Sequence, residues 1–530
     1  MLISPVQMHY IPPASVESTA VQIDNSIASQ PENKQTVLTP KKATISQINN
    51  SYILSFIVKN GLKVNLNGTD SSKIGEDGVN LNEAFVTYNN QLKTSLNRLI
   101  KDKNVDNQWL KWIDLPDKQM QKAQEIQNFV EQNVRNKFED VVVLGIGGSS
   151  LGPKALVNAL VDSQWNLMNK EQRNGYPRIH FIENIDPERF SEVMDKLNLK
   201  DTLILTISKS GKTPETSATF LNAQERLQDA VAKGEISQED FKKHIVAVTD
   251  KNPEKSILKQ EAIKHGYQTY EVPDDVGGRY SVLSDVGLVP AAMVGINITE
   301  LLKGASNMTK VCSDTKNLKE NPAANQALVQ YMMYQKGKEY SVLMPYSDKL
   351  ALVSDWYAQL WAESLGKKDN KDGQAVHSNY SPIKALGAID QHSQLQLWRE
   401  GKNDKVFTFI TVKNFNKNVP ITNNQANIPD ALSYMKHNSI NDLINEEAKA
   451  TTQVLQQDKR PVINVEMPKI NAYNLGQLMQ MFMFQTAIVG ELQGLGLNTF
   501  LQPAVEEGKK ITKESMAELS KQKESQATQK

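Results

Sequence analysis

The sequence predicts an α/β fold that contains two mainly parallel sheets flanked by helices. Short β-branched runs alternate with polar, amphipathic stretches that are long enough for crossover helices, which is the pattern of parallel sheets. The chain has 530 residues, beyond the size at which one hydrophobic core stops growing, so at least two packed units are expected. Glycine-rich and hydroxyl-rich segments follow the predicted strands, where ligands bind in such sheets.

Two series of predicted strands define the two units. The first series comprises residues 141–144, 179–182, 202–207 and 244–248. The second comprises residues 340–344, 406–412 and 461–467, with helices at 349–365 and 475–497. The ends of the chain are polar and lack clear periodicity. We therefore expect a disordered extension over 1–45, a mainly helical segment over 46–135, α/β units over 136–320 and 321–512, and a polar tail over 513–530.

Composition excludes several classes of function. Lys+Arg and Asp+Glu both total 60, and this zero net charge argues against a nucleic-acid partner, which needs a basic excess. The single cysteine, Cys312, cannot form an internal disulfide and fits a reducing compartment. The first residues lack the pattern of a secretory signal, and no run reaches the ~18–20 apolar residues of a membrane span. A cytoplasmic protein without membrane association is expected.

A glycine loop, residues 145–153, follows the first predicted strand and opens a helix. Glycines let backbone N–H groups approach a ligand, and a helix N-terminus favours negative charge. The spacing is not the dinucleotide fingerprint, because Ser150 stands where the third glycine belongs. It is not a P-loop either, because no Gly-Lys-Ser/Thr closes it. From the residues alone, an anion-binding loop and a simple tight turn remain equally open.

A hydroxyl loop, residues 208–214, follows the predicted strand that ends at Ile207. Thr213 is placed to be the N-cap and Pro214 the first helical residue. Ser208, Ser210 and Thr213 then converge with Lys209 on one helix terminus. This arrangement predicts a site for a small phosphate ester, and the alternative is an ordinary capped turn with solvated lysines.

Two charged residues are candidates for proton chemistry. Arg279 follows paired glycines, which suggest close backbone packing around a planar cation, and an arginine can stabilise an oxyanion without losing its own proton. Glu363 lies in the last turn of a predicted helix that Gly366 would end, where the helix dipole disfavours its charged form and so suits it to act as a base. A surface arginine and an exposed glutamate are the alternatives.

Two further candidates follow later in the chain. His392 comes after Asp390, which is placed to cap a helix that runs through Arg399, and an imidazole beside a helix N-terminus would be held neutral. Lys509, after a helix rich in core methionines, is either a proton donor or a surface charge. A hydrogen-bonded structural histidine is the alternative interpretation of His392.

Together, and in this order, these segments resemble the phosphoglucose isomerase family. The matching segments are 145–153, 208–213, 277–281, 363–367, 391–392 and 502–509. The most specific of them read Gly-Gly-Arg-Tyr-Ser and Gln-Pro-Ala-Val-Glu-Glu-Gly-Lys. The resemblance implies two sugar-isomerase (SIS) type subdomains and a homodimer with shared active sites. It also implies an aldose–ketose isomerase of glycolysis and gluconeogenesis, which interconverts glucose 6-phosphate and fructose 6-phosphate through a cis-enediolate without a metal or cofactor.

The resemblance also assigns roles to residues. Glu363 would move the proton between C1 and C2, and Arg279 would stabilise the enediolate. His392, arriving from the partner subunit, would open the sugar ring with Lys509 alongside. The substrate-binding positions would be Gly148, Ser149, Ser208, Lys209, Ser210, Thr213, Gln359 and Gln502.

Other functions are weighed against this one. A non-catalytic regulator that binds sugar phosphates would need the hydroxyl loop, but not Glu363, His392 and Lys509 together. A nicotinamide-dependent dehydrogenase is disfavoured because the dinucleotide fingerprint fails. Isomerisation of mannose 6-phosphate stays open, because C2 epimers share the enediolate.

Overall fold

The computed structural model describes residues 55–58 and 61–528. The predicted disordered extension over 1–45 lies outside these residues. The strands are β1 (Ser55–Ile57), β2 (Lys63–Gly68), β3 (Asp140–Leu144), β4 (Arg178–Ile182), β5 (Thr202–Ile207), β6 (Ile245–Thr249), β7 (Gln268–Glu271), β8 (Tyr340–Pro345), β9 (Lys367–Asp369), β10 (Ala375–Ser378), β11 (Ser381–Lys384), β12 (Lys405–Val412) and β13 (Val462–Met467).

The helices alternate with these strands over most of the described chain. They are α1 (Ser71–Ile74), α2 (Leu81–Asp102), α3 (Leu115–Lys118), α4 (Met120–Asn133), α5 (Leu151–Leu160), α6 (Pro187–Met194), α7 (Pro214–Ala232), α8 (Ile257–His265), α9 (Asp285–Met293), α10 (Ile298–Cys312), α11 (Pro322–Gln335), α12 (Ala351–Leu365), α13 (Leu395–Glu400), α14 (Ile440–Gln457), α15 (Ala472–Leu492) and α16 (Glu506–Thr528). Within the described residues, no helix is both long and apolar enough to cross a membrane.

The first sheet is fully parallel, in the order β4-β3-β5-β6-β7. Its central strands β3 and β5 are buried along their whole length, as continuous apolar runs covered on both faces should be. Each predicted strand of this series is present within one residue of its expected bounds. The prediction of a parallel α/β unit is therefore confirmed.

The second sheet is mixed, in the order β1-β2-β13-β12-β8-β11. Strands β13, β12, β8 and β11 run parallel, whereas β2 pairs antiparallel with both β13 and β1. The segment 46–135, expected to be mainly helical, holds α1 to α4 but also supplies β1 and β2. Strand β2 alternates half-buried and buried residues, the two-residue period of a strand with one covered face.

Long helices contribute to a core that both sheets share. Helix α15 is buried over nearly its whole length, and its methionines are core residues, as predicted. It packs closely on α10, since a Cβ at Gly476 would lie 2.0 Å from the Leu301 carbonyl oxygen. One apolar cluster includes Val143 of the first sheet and Val465 of the second. The domain boundaries at residues 135, 320 and 512 stay a prediction.

Candidate active site

Arg279 is buried in the candidate site, with 1% of its surface exposed. Its Nε donates to Ser364 Oγ at 2.8 Å, and its Nη2 donates to the Thr499 carbonyl at 2.7 Å. Its Nη1 donates to Gln502 Oε1 at 2.9 Å and to Glu363 Oε2 at 3.2 Å. Burial lowers the pKa of the guanidinium. Arginine nevertheless keeps its charge, because its ordinary pKa is so high.

Glu363 lies in the last turn of α12, which ends where the Gly366 N–H donates to the Ala362 carbonyl. Gln359, one turn earlier, donates from Nε2 to Glu363 Oε1 at 3.0 Å. Arg279 donates to the other carboxylate oxygen, so both oxygens have a donor. A third of the glutamate side chain is exposed, at 33%, which leaves it accessible to a ligand.

The glycine loop sits directly against this pair. A Cβ at Gly148 would lie 2.3 Å from the carbonyl carbon of Gly278, which precedes Arg279, so only a glycine fits there. A Cβ at Gly147 would lie 3.2 Å from Gln359 Nε2. The loop thus brings the carboxyl end of β3 into contact with the segments that carry the base candidate and its arginine.

The hydroxyl loop follows β5, the neighbour of β3 in the sheet. Helix α7 begins at Pro214 with Thr213 as its N-cap, as predicted, but the Thr213 side chain makes no capping hydrogen bond. Its Oγ1 lies 3.4 Å from Ser208 Oγ, which accepts from the Gly211 N–H at 3.2 Å. Ser210 Oγ accepts from the Lys212 N–H at 3.2 Å. The three hydroxyls therefore share one turn ahead of the helix.

Lys209 differs from the other predicted phosphate ligands. Its Nζ donates to the Pro273 carbonyl at 3.3 Å and lies 5.2 Å from the centre of the Trp109 ring. Burial lowers its pKa, and nearby aspartates oppose that shift. The structure therefore gives the Lys209 ammonium partners outside the hydroxyl loop, and a contact with phosphate would require it to leave them.

Two residues of this site received no role from the sequence. Ser364 accepts from Arg279 Nε and lies 3.2 Å from the Tyr280 hydroxyl. Lys367 donates from Nζ to the carbonyls of Glu363 and Leu501. In the sequence, the spacing of four residues between Glu363 and Lys367 could have indicated that the two lie close together at the end of the helix. Both lie inside the segment 363–367 that carries the resemblance.

Comparison with known proteins decides the family. A family model described as "Phosphoglucose isomerase" matches residues 89–529. This chain belongs to the phosphoglucose isomerase family. A glucose-6-phosphate isomerase of Carboxydothermus hydrogenoformans is 41% identical over 381 residues, which cover 72% of this chain and 79% of that protein. One from Thermus thermophilus is 33% identical over 435 residues, covering 82% and 97% of the two chains.

Solved structures share the fold of this phosphoglucose isomerase chain. A crystal structure described as a hypothetical protein of Thermus thermophilus has a TM-score of 0.75 and 31% identity, and covers 86% of this chain and 100% of its own. A glucose-6-phosphate isomerase from Chlamydia trachomatis has a TM-score of 0.68 over 88% of this chain and 90% of its own. Its identity is 21%, so that likeness shows the shared fold alone.

Among the described residues of this phosphoglucose isomerase chain, neither His392 nor Lys509 is hydrogen-bonded to the Arg279–Glu363 pair. His392 is exposed, and within residues 61–528 its ring has no hydrogen bond to either member of the pair. Lys509 lies on the exposed helix α16 and pairs with Glu506 at 2.7 Å. The role of His392 in the active site of a partner subunit stays a prediction.

The surroundings of His392 differ from the sequence prediction. Asp390 was expected to cap a helix that runs through Arg399. Instead, Asp390 accepts from the Leu386 N–H at 2.7 Å, and the next helix, α13, begins only at Leu395. The aspartate thus closes the turn before the histidine. In the part of the chain that the structure describes, no three His, Cys, Asp or Glu side chains are grouped to hold a metal ion.

Proposed function

We propose that this phosphoglucose isomerase interconverts glucose 6-phosphate and fructose 6-phosphate. The observation that carries the proposal is the contact between the Glu363 carboxylate and the buried Arg279 guanidinium, at 3.2 Å, beside the glycine loop. A proton next to a carbonyl is weakly acidic, so its removal needs a positioned base and a stabilised enediolate. A partly accessible carboxylate and a fixed cation supply those two functions.

Glu363 is the base in this proposal. Its carboxylate takes the proton from C2 of the open-chain aldose, and the C–H electron pair forms the C1–C2 double bond. The carbonyl π electrons move to the C1 oxygen, which gives a cis-enediolate that Arg279 stabilises. The hydroxyl proton on the C2 oxygen moves to the C1 oxygen, and the carboxyl group returns its proton to C1 as the C2 carbonyl forms, which yields the ketose. The reverse direction begins with the proton at C1.

The substrate is held by the two loops and by two glutamines. Ser208, Ser210 and Thr213 would bind the phosphate, and this role is supported by the Thr213 hydroxyl, which makes no capping hydrogen bond to the helix. Gln359 Oε1 is buried and has no hydrogen-bond partner among the described residues, which supports a contact with a sugar hydroxyl. The remaining substrate positions of the proposal are Gly148, Ser149, Lys209 and Gln502.

Ring opening belongs to His392 and Lys509 in a cytoplasmic homodimer. The proposal that His392 reaches the partner's site is supported by its exposure in the single chain. Lys509 has only Glu506 as an ion-pair partner among the residues described, so it is available to the site. Both residues would act on the cyclic sugar before Glu363 acts on the open chain.

The experiment that tests this function is Glu363→Gln. The amide keeps shape and hydrogen bonding but cannot accept the proton, so we expect kcat to fall by roughly 10²–10⁴-fold with little change in KM. Exchange of the C2 proton with deuterated water should be nearly abolished, whereas interconversion of the sugar anomers persists. Coupled assays on glucose 6-phosphate and mannose 6-phosphate define the substrate.

The matched control is Glu446→Gln, a change at an exposed glutamate on α14, which should leave exchange at the parent rate. Exchange at the parent rate in Glu363→Gln would show that another group is the base. Loss of anomer interconversion in the same variant would show that Glu363 also opens the ring.

A further inference from the structure

Lys367 links two segments of the candidate site through their backbones. It begins β9, directly after the Gly366 cap of α12, and its Nζ donates to the Glu363 carbonyl at 2.6 Å. The same Nζ donates to the Leu501 carbonyl. Carbonyls in the last turn of a helix have no intrahelical partner, and a nearby lysine is one way to satisfy them. Here the lysine satisfies one such carbonyl and also holds a second segment.

We propose that Lys367 is a positioning residue for the isomerisation. It ties the end of α12 to the segment 499–502, so that the Glu363 carboxylate and the Gln502 amide both meet Arg279. The proposal rests on the proposed role of Glu363 as the base. It adds a residue that touches neither the substrate nor the reacting atoms but sets the geometry of those that do.

Arg279 and Lys367 hold alternate carbonyls of the same segment. Arg279 Nη2 binds the Thr499 carbonyl, and Lys367 Nζ binds the Leu501 carbonyl, one residue before Gln502. Gln502 in turn presents Oε1 to Arg279 Nη1, the nitrogen that also binds Glu363. Without Lys367, the backbone next to Gln502 loses its connection to α12. Arg279 still binds both the amide and the carboxylate, but the distance between them is then less firmly fixed.

The ammonium is kept in this position at an electrostatic cost. Burial lowers the pKa of Lys367 to about 8, Arg279 acts in the same direction, and Glu363 opposes both. These are the charged groups that face it from the 278–280 turn and from α12, whereas the segment 499–501 offers only carbonyls. His377 of the adjacent strand β10 is exposed. A cation held beside Arg279 in spite of that cost indicates a specific structural task.

The test replaces Lys367 by Met, which keeps the length of the stem and removes all donors. We expect kcat to fall about 10- to 100-fold, because small displacements of a catalytic group have effects of that size. KM for glucose 6-phosphate should change much less than kcat, because the hydroxyl loop that would hold the phosphate is unchanged. Lys367→Arg keeps donors and charge and should recover most of the activity. Lys368→Met, at the exposed next residue of the same strand, is the matched control and should match the parent.

A pH profile gives a readout that general destabilisation does not produce. Above about pH 8 the parent loses the charge on Lys367, so its kcat should decline there. The Lys367→Arg variant stays charged at this pH, so its kcat should not decline there. Should Lys367→Met fail to fold, this comparison of parent and Lys367→Arg still decides the question.

Three results overturn the proposal: a parent-level kcat in Lys367→Met, proportional changes in kcat and KM, or identical alkaline limbs in parent and Lys367→Arg. Glu363→Gln is measured in parallel. If it retains C2 exchange, the proposed function fails. If it loses exchange while Lys367→Met turns over normally, only the role of Lys367 fails.

Discussion

At the scale of single residues, the two cations of the site, the buried Arg279 and the half-buried Lys367, are held mainly by neutral oxygens. Arg279 makes one hydrogen bond to a carboxylate, and its others go to a hydroxyl, an amide and a backbone carbonyl. Lys367 binds only carbonyls. Among the described residues Glu363 is the one carboxylate that either cation contacts, so a net positive charge remains available to stabilise an anion that forms during the reaction.

Thr213 offers a prediction at the same scale. Thr213→Ala should raise KM for both sugar phosphates and leave kcat nearly unchanged, because a phosphate contact made equally in ground and transition states is uniform binding. Loss of an N-cap bond usually costs about 1 kcal/mol. The Thr213 hydroxyl makes no such bond, so the free energy of unfolding should hardly change.

Steady-state kinetics and denaturant unfolding check both parts of this prediction. Thr213→Ser keeps the hydroxyl and should retain the parent KM. An unchanged KM in Thr213→Ala would remove Thr213 from the phosphate site. A marked loss of stability would show that the hydroxyl serves the helix instead.

At the scale of elements, the contact of α10 with α15 depends on glycines. Gly476→Ala places a methyl group 2.0 Å from the Leu301 carbonyl oxygen. Alanine is favoured over glycine in a helix by roughly 1 kcal/mol, but overpacking of this kind costs about 1–3 kcal/mol or more. We expect the steric cost to exceed the gain in helix propensity, so that the free energy of unfolding falls.

Gly508→Ala is the control for this change. Gly508 lies on the exposed helix α16, and nothing lies within 4 Å of a Cβ built there. This variant should be as stable as the parent or slightly more stable. Equal stability of Gly476→Ala and the parent would mean that the two helices separate at little cost.

Elements with strong local signals were predicted from the sequence. Strand β5 and the start of α7 at Pro214 match the prediction, because a buried apolar run and a Thr-Pro helix start are local signals. Strands β1 and β2 were missed, because β2 has polar residues on its half-buried face and its sheet partner β13 lies about 400 residues later in the chain. Strand β7 was missed because only one of its four residues is buried.

The candidate site, too, was predicted only where the signals are local. The types of its residues and their positions after strands could be predicted from the sequence. The contacts that turn the Lys209 ammonium toward Trp109, and that join Lys367 to Leu501, could not. They form between segments separated by about 100 residues or more, and only the folded chain brings these together.

At the scale of the whole molecule, the proposed homodimer makes a complementation prediction. Neither Glu363→Gln nor His392→Ala should be active as a homodimer. A hybrid dimer, purified through a different tag on each chain, has one site with both residues intact if His392 acts across the interface. Its kcat per dimer should then be about half that of the parent.

A histidine that acts within its own chain gives a different result. Both sites of the hybrid would then lack one residue, and the hybrid would be as inactive as either homodimer. A hybrid of Glu363→Gln with the parent, which keeps one intact site in either case, is the positive control.

The apolar cluster that includes both Val143 and Val465 also bears on how the enzyme moves. Two lobes joined by a thin hinge can close on a ligand as rigid bodies, but a continuous, densely packed interior resists such rotation. Opening and closing around the sugar must then be local, in the glycine loop, the hydroxyl loop and the segment 499–502. Amide hydrogens of α10 and α15 should accordingly exchange only on global unfolding, whereas substrate should slow exchange in those loops alone.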